Sequence, residues 1–193
     1  MAFRQMFLSL AAVILAACQT TGGQSAWEWQ PIQRADSRVS IVGDDSVVTS
    51  REWKRREAGV QERLKFKDGS SFFYEELYGG RNVWASHNDM EQFLTRTFQS
   101  LNKNGGYTAS KISRRKYQHG DLFYMTAESS SLRCFLSEAT SLDQQRGASW
   151  HFAFSSCRAV QGRTAASLET DMFALLERMR FDGGELNKQK AVQ

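Results

Sequence analysis

The stretch that decides the fold runs from Val60 to Tyr78 and reads VQERLKFKDGSSFFYEELY. Its first eight residues alternate apolar and polar side chains, the period of a β-strand with one face toward a core. Asp68 and Gly69 then supply a tight turn, and residues 71–78 are aromatic and β-prone. Two strand-like runs around an Asp-Gly pair predict an antiparallel β-hairpin.

Further strands and two helices are predicted on either side of this hairpin. The residues from Asp89 to Asn102 and from Thr164 to Arg180 carry apolar side chains at helical spacing. Strand-like segments are found at residues 38–48, 107–118, 122–128, 131–138 and 150–160. The order strands, helix, strands, helix predicts an α+β domain with an antiparallel sheet of about six to seven strands and two helices on one face.

The N-terminus carries a targeting signal. Arg4 precedes an apolar run from Met6 to Ala17, the layout of a secretory signal peptide. The run ends in Leu15-Ala16-Ala17-Cys18, which resembles the lipobox of bacterial lipoproteins. The resemblance implies cleavage before Cys18 and attachment of a membrane-anchoring lipid to its thiol. The alternative is an ordinary signal peptide that happens to precede a cysteine.

This reading divides the chain into four parts. Residues 1–17 are the expected signal peptide, and residues 18–30 the lipidated cysteine with a flexible, polar tether. A single α+β periplasmic domain is expected over residues 31–182, followed by a polar tail over 183–193. In Gram-negative lipoproteins the residue after the lipidated cysteine helps to sort the protein between the two membranes, and an Asp at this position resembles the signal for retention in the inner membrane. Here this residue is Gln19. The expected location is therefore the outer membrane, facing the periplasm, in preference to the inner membrane.

With Cys18 assigned to lipid, Cys134 and Cys157 remain, and an envelope compartment permits disulfides. If they face each other across a hairpin, the midpoint falls between Gln145 and Arg146, inside a turn-like stretch. The pattern predicts a disulfide, with two free buried thiols as the alternative. Alternation, however, puts Phe152 and Phe154 opposite Cys157, whereas Leu132 and Leu136 share the face of Cys134. A bulge at Ser155-Ser156, or a sheet covered on both faces, would reconcile the two strands.

No sequence motif indicates catalysis. The serine-hydrolase, metalloprotease, P-loop and dinucleotide signatures are all absent, so we expect a non-enzymatic protein without a cofactor. The three histidines, His87, His119 and His151, are about thirty residues apart; three imidazoles can converge on a metal in a fold, but isolated histidines usually have no such role, and we expect no metal site.

The charged residues suit anionic partners in the envelope. The precursor carries a net charge of +4, with basic residues concentrated at residues 51–56 and at Lys111, Arg114, Arg115 and Lys116. Such clusters fit phosphates of lipids or another polyanion, or are ordinary solvated faces. The predicted export of the protein argues against a nucleic-acid partner, because the protein would not be in the compartment that holds nucleic acid.

An interaction surface is predicted around the exit of the hairpin. Phe73, Tyr78, Arg81 and Trp84 bring together aromatic and arginine side chains, the types that dominate interface energetics. The other interpretation, which the apolar residues on both faces of the strand favour, is a central strand that is buried on both faces.

The predicted function is a membrane-anchored accessory or protein-interaction domain whose partner is another envelope protein. The alternative is a periplasmic binding module for an anionic lipid, glycan or other small ligand. The order of elements, closing in Leu-Leu-Glu-Arg-Met-Arg-Phe at residues 175–181, resembles PsbP-like α/β/α sandwiches found in some bacterial lipoproteins. That likeness is topological and implies no particular activity.

Overall fold

The structure is a computed structural model that describes residues 28–56, 59–77, 87–117, 120–141, 149–162 and 164–181. Within these ranges the helices are α1 (His87–Leu101) and α2 (Ala165–Arg178). The described strands are β1 (Gln30–Pro31), β2 (Val39–Ile41), β3 (Val48–Arg56), β4 (Gly59–Phe66), β5 (Ser71–Leu77), β6 (Thr108–Ala109), β7 (Ser113–Tyr117), β8 (Gly120–Glu128), β9 (Leu132–Ser141), β10 (Ser149–Ala159) and β11 (Met179–Phe181).

Nine of the described strands form one antiparallel sheet. Its order is β1-β3-β4-β5-β10-β9-β8, and β6 and β7 both pair with the remaining side of β8. The other two, β2 and β11, pair with each other as a small second sheet. The predicted antiparallel α+β architecture is confirmed, but six to seven strands is too few. Strands of two or three residues are too short to show a period, and β3 has only Val48 and Trp53 as apolar side chains, too few to show an alternation.

The predicted hairpin is formed by β4 and β5. Gly69 has a φ of 81°, a left-handed conformation that glycine adopts without steric cost. The amide of Gly69 donates to the carbonyl of Phe66 at 3.0 Å, and the amide of Ser70 donates to the Asp68 carboxylate at 2.9 Å. These bonds close the turn and fix the register of the two strands.

The two helices cover opposite faces of the sheet, so the prediction that both pack on one face is wrong. On the α2 face, residues of α2 pack in one core with Phe72, Phe135, Phe152 and Phe154. On the α1 face, Met90 and Leu94 pack with Phe123, Met125 and Leu136. Central strands with apolar residues on both faces, such as Phe135 next to Leu136, require a cover on each side.

Cys134 and Cys157 lie directly opposite each other on β9 and β10, both on the α1 face. Their sulfur atoms are 2.08 Å apart, the distance of a disulfide bond. The pairing of β9 with β10 continues through Ser155 and Ser156 without a shift in register. The sequence conflict between the two strands is therefore resolved by the two-sided cover and not by a bulge.

A buried carboxylate interrupts the apolar alternation of β4. Glu62 lies on the α2 face and is 0% exposed. It accepts hydrogen bonds from the Ser37 hydroxyl at 2.8 Å and the Arg38 amide at 2.9 Å, and burial is the main cause that raises its pKa. Arg51, also buried, donates to the Ser37 hydroxyl and to the Val39 carbonyl. These polar contacts hold β2 against the main sheet.

Candidate functional site

The predicted interaction surface is described only at Phe73. Tyr78, Arg81 and Trp84 lie outside the described residues, as do the lipobox and Cys18. Phe73 is part-buried on the α1 face of β5. Its ring centroid is 6.5 Å from that of Trp29 and 6.4 Å from that of His151.

The Trp29 ring makes cation–π contacts with two side chains from neighbouring strands. The Arg63 guanidinium lies 4.3 Å and the Lys54 ammonium 4.7 Å from the Trp29 ring centroid, within cation–π range. Trp29, Lys54, Arg63 and Phe73 are referred to below as the Trp29 patch. Sequence analysis missed it because Trp29 falls inside the predicted tether, and only the pairing of β3 with β4 brings Lys54 and Arg63 together.

His151 is the one histidine whose side chain is described, and it is only 6% exposed. Its Nε2 lies 2.6 Å from a carboxylate oxygen of Glu138, whose other oxygen accepts a hydrogen bond from Thr97 of α1 at 2.8 Å. Phe93 of α1 packs over the imidazole, with ring centroids 5.6 Å apart. This closed polar contact attaches α1 to the sheet.

The expected absence of a metal site concerns all three histidines, His87, His119 and His151. His119 and the side chain of His87 lie outside the described residues. Within the described ranges, no group of three or more His, Cys, Asp or Glu side chains is arranged to hold a metal ion.

The second basic cluster forms an exposed strand at the far side of the sheet. β7 is separated from β1 by seven strand-to-strand steps, about 34 Å at the usual spacing. Lys116 pairs with Asp121 at 2.9 Å, and Arg114 pairs with the same carboxylate. Arg115 points to the opposite face, where it pairs with Glu177 of α2 at 2.8 Å.

A cavity of about 310 Å³ lies between β7 and α2, and we call it the β7–α2 cavity. The residues that line it are Arg115, Lys116, Tyr117, Leu122, Phe173, Leu176 and Glu177. The Arg115 guanidinium lies 4.5 Å from the ring centroid of Phe173. The Tyr117 hydroxyl donates to the carbonyl of Leu176 at 2.7 Å, and burial raises the pKa of this phenol.

The chemistry of this cavity suits an apolar group that carries a neighbouring negative charge. The part-buried rings of Phe173 and Tyr117 offer the accessible apolar surface, whereas Leu122 and Leu176 are each only 1% exposed. Arg115 and Glu177 are about half exposed, and an ion pair of that kind contributes only ~0–1 kcal/mol. Arg115 can therefore exchange Glu177 for an anionic group of a ligand at little cost.

Two other depressions in the described surface are larger but shallow. One, of about 470 Å³, runs along polar side chains of α1 such as Gln92, Arg96 and Gln99. The other, of about 430 Å³, lies beside β6 and Thr126. The first has one large apolar side chain, Ile112, beside Arg96, and the second has no cation among its described lining residues, whereas the β7–α2 cavity combines Arg115 with several apolar side chains.

No protein-family model, curated protein or solved structure matches this chain. Neither α1 nor α2 is long and apolar enough to cross a membrane.

Proposed function

We propose that this chain is a lipid-anchored protein of the bacterial cell envelope that acts by binding another envelope protein and not by catalysis. Its expected place is the periplasmic side of the outer membrane. The proposal rests on the lipobox-like end of the signal sequence and on Cys134 and Cys157, which suit an oxidising compartment. Its relation to PsbP-like sandwiches likewise stays a proposal.

The observation that carries the binding role is the β7–α2 cavity with Arg115 at its edge. An apolar recess beside a cation accommodates an apolar anchor side chain flanked by a carboxylate, the kind of contact that dominates protein interfaces. The recess also lies on the side of the sheet away from β1, where the chain leads back to the proposed anchor. A partner can therefore approach it without meeting the membrane.

A second candidate occupant is a small anionic amphiphile. The volume of about 310 Å³ is at the lower end of the range of small-molecule pockets. Apolar walls would hold the hydrocarbon part of such a ligand, and Arg115 its carboxylate or phosphate.

Photo-cross-linking in intact cells tests the proposal. A photoreactive amino acid replaces Glu177 at the cavity or, as a matched control, the exposed Thr170 on another part of α2. We expect an envelope-protein adduct from position 177, which Arg115→Glu abolishes and Lys67→Glu preserves. An adduct with a lipid-sized molecule instead establishes the second candidate. Equal labelling from both positions, or none, contradicts both.

A further inference from the structure

The Trp29 patch is fixed to the sheet at the point where the proposed tether ends. β1 pairs with β3, with Gln30 opposite Trp53, and the Ile32 amide donates to the Arg51 carbonyl at 3.1 Å. Trp29 immediately precedes this paired segment and stands eleven positions after Cys18. A flexible chain of that length has a root-mean-square span of only ~18 Å. A lipid on Cys18 would therefore hold the patch close to the membrane surface.

The chemistry of the patch matches that surface. Tryptophan is enriched at membrane–water interfaces because its ring is apolar and its N–H is polar. The cations Lys54, Arg63 and the exposed Lys65 share this face of the sheet with Glu52 and with Glu75, which is only 6% exposed and accepts a hydrogen bond from Gln61. Glu52 accepts a hydrogen bond from Arg63 at 2.6 Å, which leaves Lys54 and Lys65 as the more available charges.

We propose that the Trp29 patch docks on the anionic headgroups of the phospholipid surface to which Cys18 is anchored. This inference rests on the lipid anchor of the proposed function. Docking would turn the α1 face near β1 toward the bilayer and leave the β7–α2 cavity, which lies on the opposite face and at the other end of the sheet, pointing away from it. The Trp29 patch would then contact the membrane, while the β7–α2 cavity would stay accessible to the partner protein.

The test uses the mature, lipidated protein reconstituted in two kinds of vesicle. One is phosphatidylcholine alone, and the other includes phosphatidylglycerol; both contain lipids with brominated acyl chains that quench nearby tryptophans. The contribution of Trp29 is the difference in quenching between the wild type and Trp29→Phe. We expect Trp29 to be quenched in the anionic vesicles and much less in the neutral ones. Lys54→Gln should weaken the docking equilibrium about five-fold, whereas Lys103→Gln, remote from the patch, should leave it unchanged.

The possible failures are distinguishable. If the anchored protein shows no Trp29 quenching in anionic vesicles, or equal quenching in both vesicle types, docking on anionic headgroups is wrong. If a photoreactive amino acid at position 29 instead cross-links to a protein in intact cells, the patch binds a protein and the inference is again overturned. If purified mature protein carries no lipid and does not remain with either vesicle, the proposed anchor itself fails.

Discussion

Removal of the Cys134–Cys157 disulfide should lower the free energy of unfolding of the domain. The size of the loss follows from the entropy of closing the loop between the two cysteines in the unfolded chain. The two cysteines are separated by 23 positions, and the chain-entropy relation assigns ~3.4 kcal/mol to closing a loop of this length. For a domain of about 150 residues, such a loss lowers the melting temperature by ~7–14 °C. The bond joins neighbouring central strands, so its loss affects the unfolding of the whole sheet.

The measurement is best made in a Cys18→Ser background, which removes the lipid and the third thiol. Urea unfolding followed by circular dichroism compares the parent with the Cys134→Ala/Cys157→Ala variant, each with and without reductant. We expect reductant to destabilise the parent by about the computed amount and to leave the double variant unchanged. If reductant changes the parent by less than ~1 kcal/mol, the disulfide does not constrain the unfolded chain as the loop-entropy argument requires.

Three further changes test the packing and the buried charge. Phe154→Ala should destabilise the domain by ~3–5 kcal/mol in urea unfolding, because this ring is 1% exposed in the α2-face core. Gly120→Ala should cost ~1–3 kcal/mol in the same assay, because a Cβ there would lie 2.4 Å from the Thr140 carbonyl oxygen. Glu62→Gln should gain stability relative to the wild type as pH rises from 4.5 through the raised pKa of Glu62, since the wild type then carries a buried charge that the variant lacks.

Each of these changes has a matched control. Leu132→Ala, at a side chain that is 37% exposed, should cost less than ~0.5 kcal/mol. Ser113→Ala on the exposed strand β7 should behave in the same way. Glu52→Gln should show the opposite pH trend, because a hydrogen bond from Arg63 lowers the pKa of Glu52 and stabilises the wild type as pH rises. A pH-independent difference between Glu62→Gln and the wild type would refute the role given to burial.

Local signals predicted most of the secondary structure. The Asp-Gly turn gave the β4–β5 hairpin, and apolar residues at helical spacing gave both α1 and α2 within two residues of their observed ends. The expected midpoint of the cysteine hairpin agrees with the observed pairing of Cys134 with Cys157. The hairpin and the helices depend on residues close in sequence. The cysteine pair depends only on the two cysteines being equally far from the predicted turn between β9 and β10.

Features that depend on distant pairing were missed. The alternation of β4 places Glu62 on the core face, but only the fold shows that Ser37 and Arg38, just before β2, bind its carboxylate there. The β7–α2 cavity requires Arg115 and Phe173 to meet, and the Trp29 patch requires four separate segments to come together. Sequence periodicity shows which face of an element is apolar, but it does not show which element covers that face.

The proposed lipid anchor at Cys18 is central to the proposed function and to the docking of the Trp29 patch, and mass spectrometry of the protein extracted from bacterial envelopes tests it most directly. The expected result is a mature chain that begins at Cys18 and carries a diacylglyceryl group on that residue. Cys18→Ser should abolish this modification and the retention of the protein in the membrane fraction. An unmodified Cys18 thiol in the mature protein, or unchanged membrane retention of Cys18→Ser, would contradict the proposed anchor.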